Sequence, residues 1–282
     1  MRIGLALGGG GAKGSYQIGV FKALEETGLL SYVKTVSGTS IGALNASLVM
    51  GRMSLEQMKE LWLSMTNKIL YTNIERFKHD KLGVFNQEIM YEILIEKQDK
   101  KLIKESSIDG FVVLSQLKDL ALLKQLKQKD VTPRVVYLND KKDPYKYILA
   151  SASVPVLFGP TKIGDNYYVD GGLVDNLPVD ILLEKGCNII FTVGLSPSYD
   201  LDSYGKDALI IDLSPPKKLG RTILTMLDFN PKYIDDRIDY GYSYTMEVLN
   251  FLISEGVLSK EFSFDTTKKG VYTLWYIKKG TL

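Results

Sequence analysis

The chain has 282 residues, of which 24% are charged, and its 35 Lys and Arg nearly balance its 33 Asp and Glu. No apolar run approaches the about 18 residues that cross a bilayer, so the composition excludes a transmembrane protein. The small net charge also argues against a protein that grips nucleic acid, which needs a strong basic excess. Cys187 and His79 are the single residues of their types, which excludes an internal disulfide and a Cys- or His-rich metal site.

Two strand-turn-helix units open the chain. Residues 3–7 predict a buried strand, which a glycine run follows, and the helical pattern after that run stops at Gly28. Residues 33–37 predict a second strand, followed by a turn at 38–42 and a helical run over 43–50. This alternation predicts parallel strands joined by crossover helices.

The rest of the chain adds helices in its middle and strands after them. Apolar residues at spacings of three and four predict helices over 55–63, 86–96, 114–129 and 234–253. Further strands are predicted at 134–138, 167–169, 188–193 and 208–211.

These elements predict one α/β domain over residues 1–282. We expect a three-layer sandwich, with a mostly parallel central sheet flanked by helices. Its parts are a motif-bearing core over about 3–195, a helical insertion over about 52–130 and a C-terminal helical segment over about 215–265.

The first candidate site is the glycine run Gly9-Gly10-Gly11-Ala12-Lys13-Gly14, a G-x-G-x-x-G pattern between a strand and a helix. Glycines let the backbone approach a ligand, and free N–H groups at a helix start favour an anion, either a phosphate or an oxyanion. A dinucleotide-binding oxidoreductase would need a carboxylate at the end of the second strand, which runs instead into Ser40. A P-loop would need Ser or Thr after Lys13.

The second candidate is Gly38-Thr39-Ser40-Ile41-Gly42, a G-x-S-x-G pattern between a strand and a helix. A sharp turn there raises the serine hydroxyl at a helix N-terminus, which favours developing negative charge. The alternative is an ordinary serine N-cap. Because a predicted strand and a predicted helix both flank it, we favour Ser40 as a nucleophile.

A nucleophilic serine needs a base, and the best candidate is Asp170. An apolar strand delivers Asp170 directly into a glycine turn, whereas Asp165, Asp175 and Asp180 fit turn or helix-cap roles. His79 lies in a charged segment with no strand end beside it and fits a solvated loop position. An aspartate near its usual pKa of about 3.9 is a weak base, so burial should raise the pKa. Oxyanion donors must supply on the order of 3 kcal/mol each.

Four blocks in this order resemble the patatin-like phospholipases, lipid acyl hydrolases that use a Ser-Asp dyad. They are Gly9 to Gly14, Gly38 to Gly42, the Ala-Ser-x-x-x-Pro-x-x-Phe-x-Pro block at 150–160, and Asp170-Gly171-Gly172. The resemblance implies that Ser40 is the nucleophile and Asp170 the base, and that neither a metal nor another cofactor is needed. It further implies an oxyanion hole at Gly9, Gly10, Gly11, Ala12 and Gly14, a nucleophile elbow at Gly38 and Gly42, and an aspartate turn at Gly171 and Gly172.

Several residues bear on the substrate, which the resemblance implies is a fatty acyl ester of a phospholipid or related lipid. Lys13 either offers charge to a phosphate head group or is a solvated residue. Leucines at 114, 117, 120, 123 and 126, with interleaved lysines, fit a core-facing helix better than a helix resting on a lipid surface. Side chains that line either an acyl pocket or only the core are Val154, Pro155, Leu157 and Phe158.

The sequence also gives expectations for the location and the partners of the protein. The first residues lack the basic, apolar and cleavage regions of a secretory signal, which predicts a cytoplasmic protein with peripheral contact at membranes. The expected partner is a lipid or acyl-ester substrate and no nucleic acid. The alternative outside catalysis is a lipid-surface binding module with an inert serine.

Overall fold

A computed structural model describes residues 1–65, 87–118, 128–155, 157–196, 199–220 and 223–274. Its centre is a mixed sheet of nine strands within these ranges. The strands are β1 (Ile3–Leu7), β2 (Val33–Thr39), β3 (Asp109–Leu117), β4 (Val131–Tyr137), β5 (Thr161–Ile163), β6 (Asn166–Asp170), β7 (Ile189–Val193), β8 (Leu209–Asp212) and β9 (Gly270–Tyr272).

The central strands are parallel and one side of the sheet is antiparallel. Strands β3, β2, β1, β7, β8 and β9 lie side by side in that order, and each neighbouring pair is parallel. Strands β4 and β6 pair antiparallel with β3, and β5 pairs antiparallel with β6. The carboxyl ends of β1 and β2 therefore meet at one edge of the sheet, where the first two predicted motifs lie.

Helices cover both faces of the sheet, which confirms the predicted layered α/β fold. They are α1 (Ser15–Glu26), α2 (Ile41–Met50), α3 (Leu55–Ser64), α4 (Gln87–Lys97), α5 (Lys100–Lys104), α6 (Pro144–Ser151), α7 (Val179–Glu184) and α8 (Pro231–Ser254). Side chains alternate along β1: Leu5 and Leu7 join the main core with α1, α2 and α8, whereas Ala6 joins a smaller core with α7. Within the described ranges, no helix has both the length and the apolar character needed to cross a bilayer.

Most predicted elements are confirmed, and one is wrong. Leu114 and Leu117 lie in β3, not in a helix over 114–129, and both are buried. The run Phe111-Val112-Val113-Leu114 is covered on both faces of the sheet, so its leucines satisfy a strand although their spacing also fits a helix. The helical insertion predicted over 52–130 therefore contains a central strand. The leucines at 120, 123 and 126 lie outside the described residues.

The C-terminal helix α8 packs directly on α1, the helix that follows the glycine run. A methyl group on Gly19 would collide with the carbonyl oxygen of Ile238, and one on Gly241 would collide with that of Tyr16. Glycines at both positions let the two backbones touch. The C-terminal region is thereby brought beside the predicted oxyanion loop.

Candidate active site

Ser40 occupies a strained turn between β2 and α2. Its backbone has φ 56° and ψ −126°, a conformation that a residue with a side chain rarely adopts. The turn is tight because Gly38 packs against the Gly42 carbonyl and Gly42 packs against that of Leu7, with no room for a side chain on either. Such strain is often found at functional sites, where the surrounding structure maintains it.

A buried serine on α6 fixes this turn from the side. The Ser40 N–H donates to Ser151 Oγ at 2.9 Å, and the Ser151 hydroxyl donates to the Val113 carbonyl at 2.6 Å. The strained residue is thus tied to both α6 and β3. Ser151 belongs to the block at 150–160, but sequence reasoning did not assign it this contact.

Asp170 ends β6 and is held at three of its atoms. Its N–H donates to the Ser153 carbonyl at 2.9 Å, its carbonyl accepts from Ser115 Oγ at 2.9 Å, and its Oδ1 accepts from the Gly172 N–H at 2.7 Å. Burial raises the pKa of Asp170 to about 6, and hydrogen bonds from the Ser40 side chain and the Gly172 N–H lower it in part. The rise that the sequence predicts for a catalytic aspartate is confirmed in direction.

Ser40 and Asp170, 130 positions apart in the chain, therefore meet in one site. Within the described residues, Oδ2 of Asp170 is buried and has no well-formed hydrogen bond. Catalytic hydrogen bonds are often long or poorly aligned until the reacting complex forms. A carboxylate oxygen without a partner is able to accept the serine proton.

The other aspartates considered as the base either accept hydrogen bonds from other groups or are exposed. Asp175 Oδ1 accepts from the Leu177 N–H at 3.1 Å, and Asp180 Oδ2 accepts from the Tyr204 hydroxyl at 3.0 Å. Asp165 is exposed between β5 and β6. His79 lies outside the described residues.

The glycine run passes directly over Ser40. A Cβ atom on Gly9 would come within 2.9 Å of Ser40 Cβ, and Gly11, at φ 60°, packs against the Met226 carbonyl. Residues Gly11–Gly14 form a 3-10 turn, whose first N–H groups cannot find partners within the turn. The sequence predicts the N–H groups of this run as oxyanion donors.

Two of the five residues predicted for the oxyanion hole make other contacts in the structure. The Gly9 N–H is already donated to the Asn176 carbonyl at 3.2 Å. A Cβ atom on Gly14 would lie within 3.0 Å of Ile41 and Trp62 side chains, so Gly14 allows close packing. The N–H groups of Gly10, Gly11 and Ala12 are left as the better-placed set.

Asn176 joins the glycine run to the aspartate turn. Its side-chain amide donates to the Tyr199 hydroxyl at 2.9 Å and, weakly, to the Gly9 carbonyl at 3.5 Å. Cβ atoms on Gly9 and Gly172 would both crowd its Oδ1 atom, at 2.5 and 2.9 Å. Sequence reasoning missed Asn176, since an asparagine six residues after Asp170 carries no local signal of a contact with Gly9.

An apolar pocket of about 40 Å³ opens beside Ser40. Of the four side chains that the sequence left open between a pocket and the core, Val154, Leu157 and Phe158 line this pocket, whereas Pro155 is buried outside it. Larger cavities of about 180 and 350 Å³ contain neither Ser40 nor Asp170. The other residues of the lining are Gly11, Ser40, Ile41, Met90, Ala152, Met226, Leu227 and Phe229.

Arg237 of α8 ties the pocket wall to the glycine run. Its side chain is 8% exposed, and its Nη1 donates to the carbonyls of Ala12 at 3.0 Å and Asp228 at 3.1 Å. One guanidinium thus bridges the predicted oxyanion loop and the segment that carries Met226 and Phe229. No motif in the sequence pointed to this arginine.

Comparisons with known proteins find a similar fold and related sequences. VipD from Legionella pneumophila has the same fold, with a TM-score of 0.53 at 16% identity over 89% of this chain and 66% of that chain. Lysophospholipase NTE1 of Kluyveromyces lactis is 28% identical over 216 residues, and Neuropathy target esterase sws of Drosophila melanogaster is 31% identical over 214 residues.

These alignments cover 72 and 73% of this chain but only 13 and 14% of the two curated relatives, so the chain spans a small part of their length. The family model for Patatin-like phospholipase matches residues 5–183, more than half of the chain. The matched range contains the glycine run, the Ser40 turn and the Asp170 turn. The chain belongs to the patatin-like phospholipase family.

Proposed function

We propose that this chain is a serine acyl hydrolase that cleaves fatty acyl esters of phospholipids or related lipids, with Ser40 as nucleophile and Asp170 as base. The observation that carries the proposal is the meeting of the Ser40 hydroxyl with a buried carboxyl whose pKa is about 6. A base with this pKa is largely ionised at neutral pH and still accepts a proton more readily than an ordinary aspartate.

The reaction has two steps. Ser40 Oγ attacks the ester carbonyl while Asp170 takes its proton, and the backbone N–H groups of Gly10, Gly11 and Ala12 stabilise the oxyanion. The alcohol leaves with the proton from Asp170. Water then attacks the acyl-enzyme with Asp170 again as base, which releases the fatty acid and restores Ser40.

A lipid substrate is supported by the apolar pocket and by the relatives. Nine apolar side chains line the pocket beside Ser40 and form a wall suited to an acyl chain. Two relatives carry the names lysophospholipase and neuropathy target esterase, which denote ester hydrolases. We include peripheral contact with a membrane surface in the proposal, since such esters partition into bilayers. A cytoplasmic location remains a prediction from the sequence.

We further propose that a single domain carries this activity, which is supported by the presence of β1, near the start, and β9, near the end, in the same sheet. Family membership gives no support to the dinucleotide-binding alternative. The alternative of a lipid-binding module without catalysis is distinguished from the hydrolase by the release of fatty acid, which the following experiment measures.

The test is product analysis by mass spectrometry after incubation with a mixed lipid extract. We expect free fatty acid from the native protein and none above background from Ser40→Ala or Asp170→Asn. Fluorophosphonate should label the native protein and leave Ser40→Ala unlabelled. Binding to liposomes without release of fatty acid would overturn the proposal in favour of a binding module.

A further inference from the structure

We propose that Lys13 and Arg237 form an anion site at the edge of the glycine run, with the exposed Lys218 as an added charge, and that this site receives the phosphate of the substrate's head group. This inference rests on the proposed hydrolase and deepens it by naming the preferred substrates as acyl esters that carry a phosphate close to the ester. Lys218 and Arg237 lie beyond the residues that the family model matches.

Arg237 is the fixed member of this group. Its hydrogen bond to the Ala12 carbonyl, at 3.0 Å, places the guanidinium one residue from Lys13. The guanidinium also lies 5.9 Å from the centre of the Tyr233 ring, which limits its movement. The hydrogen bonds to Ala12 and Asp228 both use Nη1, so this side chain has further N–H groups to offer.

Lys13 lies close enough to Arg237 and Lys218 for their positive charges to affect its pKa. Its side chain is half-buried, and burial, then the charges of Arg237 and Lys218, lower the pKa of Lys13. Within the described ranges, none of the three cations has a carboxylate within ion-pair distance. Burial lowers the pKa of Arg237, and the charges of Asp228 and Asp236 offset part of that lowering, whereas the charged groups that shift the pKa of Lys13 are both cations.

A group of cations in a partly dehydrated place is unfavourable unless an anion joins them. Phosphate suits this arrangement, because arginine presents a fork of N–H donors to its oxygens and lysine adds a point charge. A positive field at a cleft also draws an anionic substrate towards it.

The position fits the head group of a lipid whose ester is at Ser40. Gly11 and Ser40 line the same pocket, and Lys13 follows Gly11 by two residues on the outer side of the turn. An acyl chain in the pocket leaves the glycerol end of the substrate outside it. Only a few bonds separate the ester from the phosphate in a glycerophospholipid, so the phosphate comes near the glycine run.

The test compares two soluble substrates with the same short acyl chain, a 1-acylglycerol 3-phosphate and the matching 1-acylglycerol. Both are used below the concentration at which they form micelles. The measured quantity is the ratio of their kcat/KM values, in the native protein, Lys13→Gln, Lys218→Gln and the control Lys217→Gln. Thermal unfolding checks that each variant is folded.

We expect Lys13→Gln to lower this ratio about 10-fold, mainly through KM of the phosphate ester, because a charge-assisted contact is lost. Lys218→Gln should lower it about 3-fold, since an exposed charge is screened by solvent. Lys217→Gln, the neighbouring exposed lysine, should leave it unchanged. Equal ratios in the native protein, Lys13→Gln and Lys218→Gln would overturn the anion site.

Further measurements distinguish a head-group phosphate from free phosphate and from a membrane surface. They also distinguish failure of the anion site from failure of the proposed hydrolase. Inorganic phosphate should inhibit hydrolysis of the 1-acylglycerol competitively in the native protein and more weakly in Lys13→Gln. If Lys13→Gln reduces binding to anionic vesicles but leaves the substrate ratio unchanged, the cations serve membrane adsorption and the head-group site is overturned. A native protein that hydrolyses neither substrate would instead overturn the proposed hydrolase itself.

Discussion

The family-matched region and the C-terminal region contribute to the same site in different ways. The first, residues 5–183, holds Ser40, Asp170 and the glycine run in short turns at strand ends. The second has none of the motifs, yet it supplies Met226, Leu227 and Phe229 to the pocket and Arg237 to the glycine run. A strained or closely packed backbone requires glycine at particular positions, so it can be recognised in the local sequence. The shape and charge of the pocket depend instead on side chains that are far apart in the chain.

The largest effect should come from the family-matched region. If Ser40 is the nucleophile, Ser40→Ala should lower kcat by more than about 1,000-fold, since no other group can form the acyl-enzyme. Esterase assays and fluorophosphonate labelling measure this. The exposed Ser31→Ala is the matched control and should behave as the native protein. Residual activity above one tenth in Ser40→Ala would place the chemistry elsewhere.

Asp170→Asn should cost about 1,000- to 10,000-fold in kcat, by analogy with loss of the acidic member of a triad. Asn retains the size of Asp and can still accept the Gly172 N–H bond, so the fold should persist. Asp175→Asn is the control, because Asp175 is half-buried and its carboxylate accepts a hydrogen bond from the Leu177 N–H, and it should stay within a few-fold of native activity. Similar losses in both variants would contradict the assignment of the base.

The pKa of Asp170 gives a pH dependence with a definite sign. Since the base must be ionised, kcat/KM should rise with pH, level off above about 6, and be about 10-fold below its plateau at pH 5. His79→Ala should keep both the limb and the rate nearly unchanged, although an imidazole would titrate close to the same pH. A limb that disappears in His79→Ala would assign the base to histidine.

The contribution of Asp170 to the free energy of unfolding should change with pH in the opposite direction to kcat/KM. The pKa of Asp170 is higher in the folded protein than in the unfolded chain, so the folded state binds more protons between about pH 4 and 6. Its contribution to the free energy of unfolding therefore falls as pH rises through that window, by on the order of 2 to 3 kcal/mol. Asp170→Asn should flatten this dependence in urea unfolding and be the more stable protein at pH 7.

The C-terminal region should control selectivity more than rate. Met226→Ala enlarges the pocket and should raise the ratio of kcat/KM for longer over shorter acyl chains by about 5-fold, the scale of one or two methylene groups in a pocket. Met53→Ala, which lines a separate cavity, is the control. An unchanged chain-length profile in Met226→Ala would remove the C-terminal region from substrate choice.

The smallest effect concerns the strain at Ser40. Because φ is 56° there, Ser40→Gly should raise the free energy of unfolding by about 1 kcal/mol relative to Ser40→Ala. Both variants lack the nucleophile, so the comparison isolates the backbone. Equal stability of the two variants in urea would show that the turn stores no strain.

The sequence by itself determined the turns to which we assign the proposed chemistry. Gly38 and Gly42 must be glycine because backbone packs against them, and Gly11 because its φ is positive, so residue type alone predicts these positions. The position of Asp170 at the end of a strand was also predicted from the sequence, because an apolar run leads there directly into a glycine turn. Most strands and helices were predicted for a related reason, since their apolar spacing reflects which face is buried.

The tertiary structure decided what depends on contact between distant residues. The spacing of Leu114 and Leu117 fits a helix or a strand, and burial on both faces of the sheet settled it as β3. Ser151, Asn176 and Arg237 act through contacts with residues 111, 167 and 225 positions away, which no local pattern records. Short-range backbone geometry limits residue type at its own position, whereas a side-chain contact leaves many residue types allowed until the fold brings its partner near.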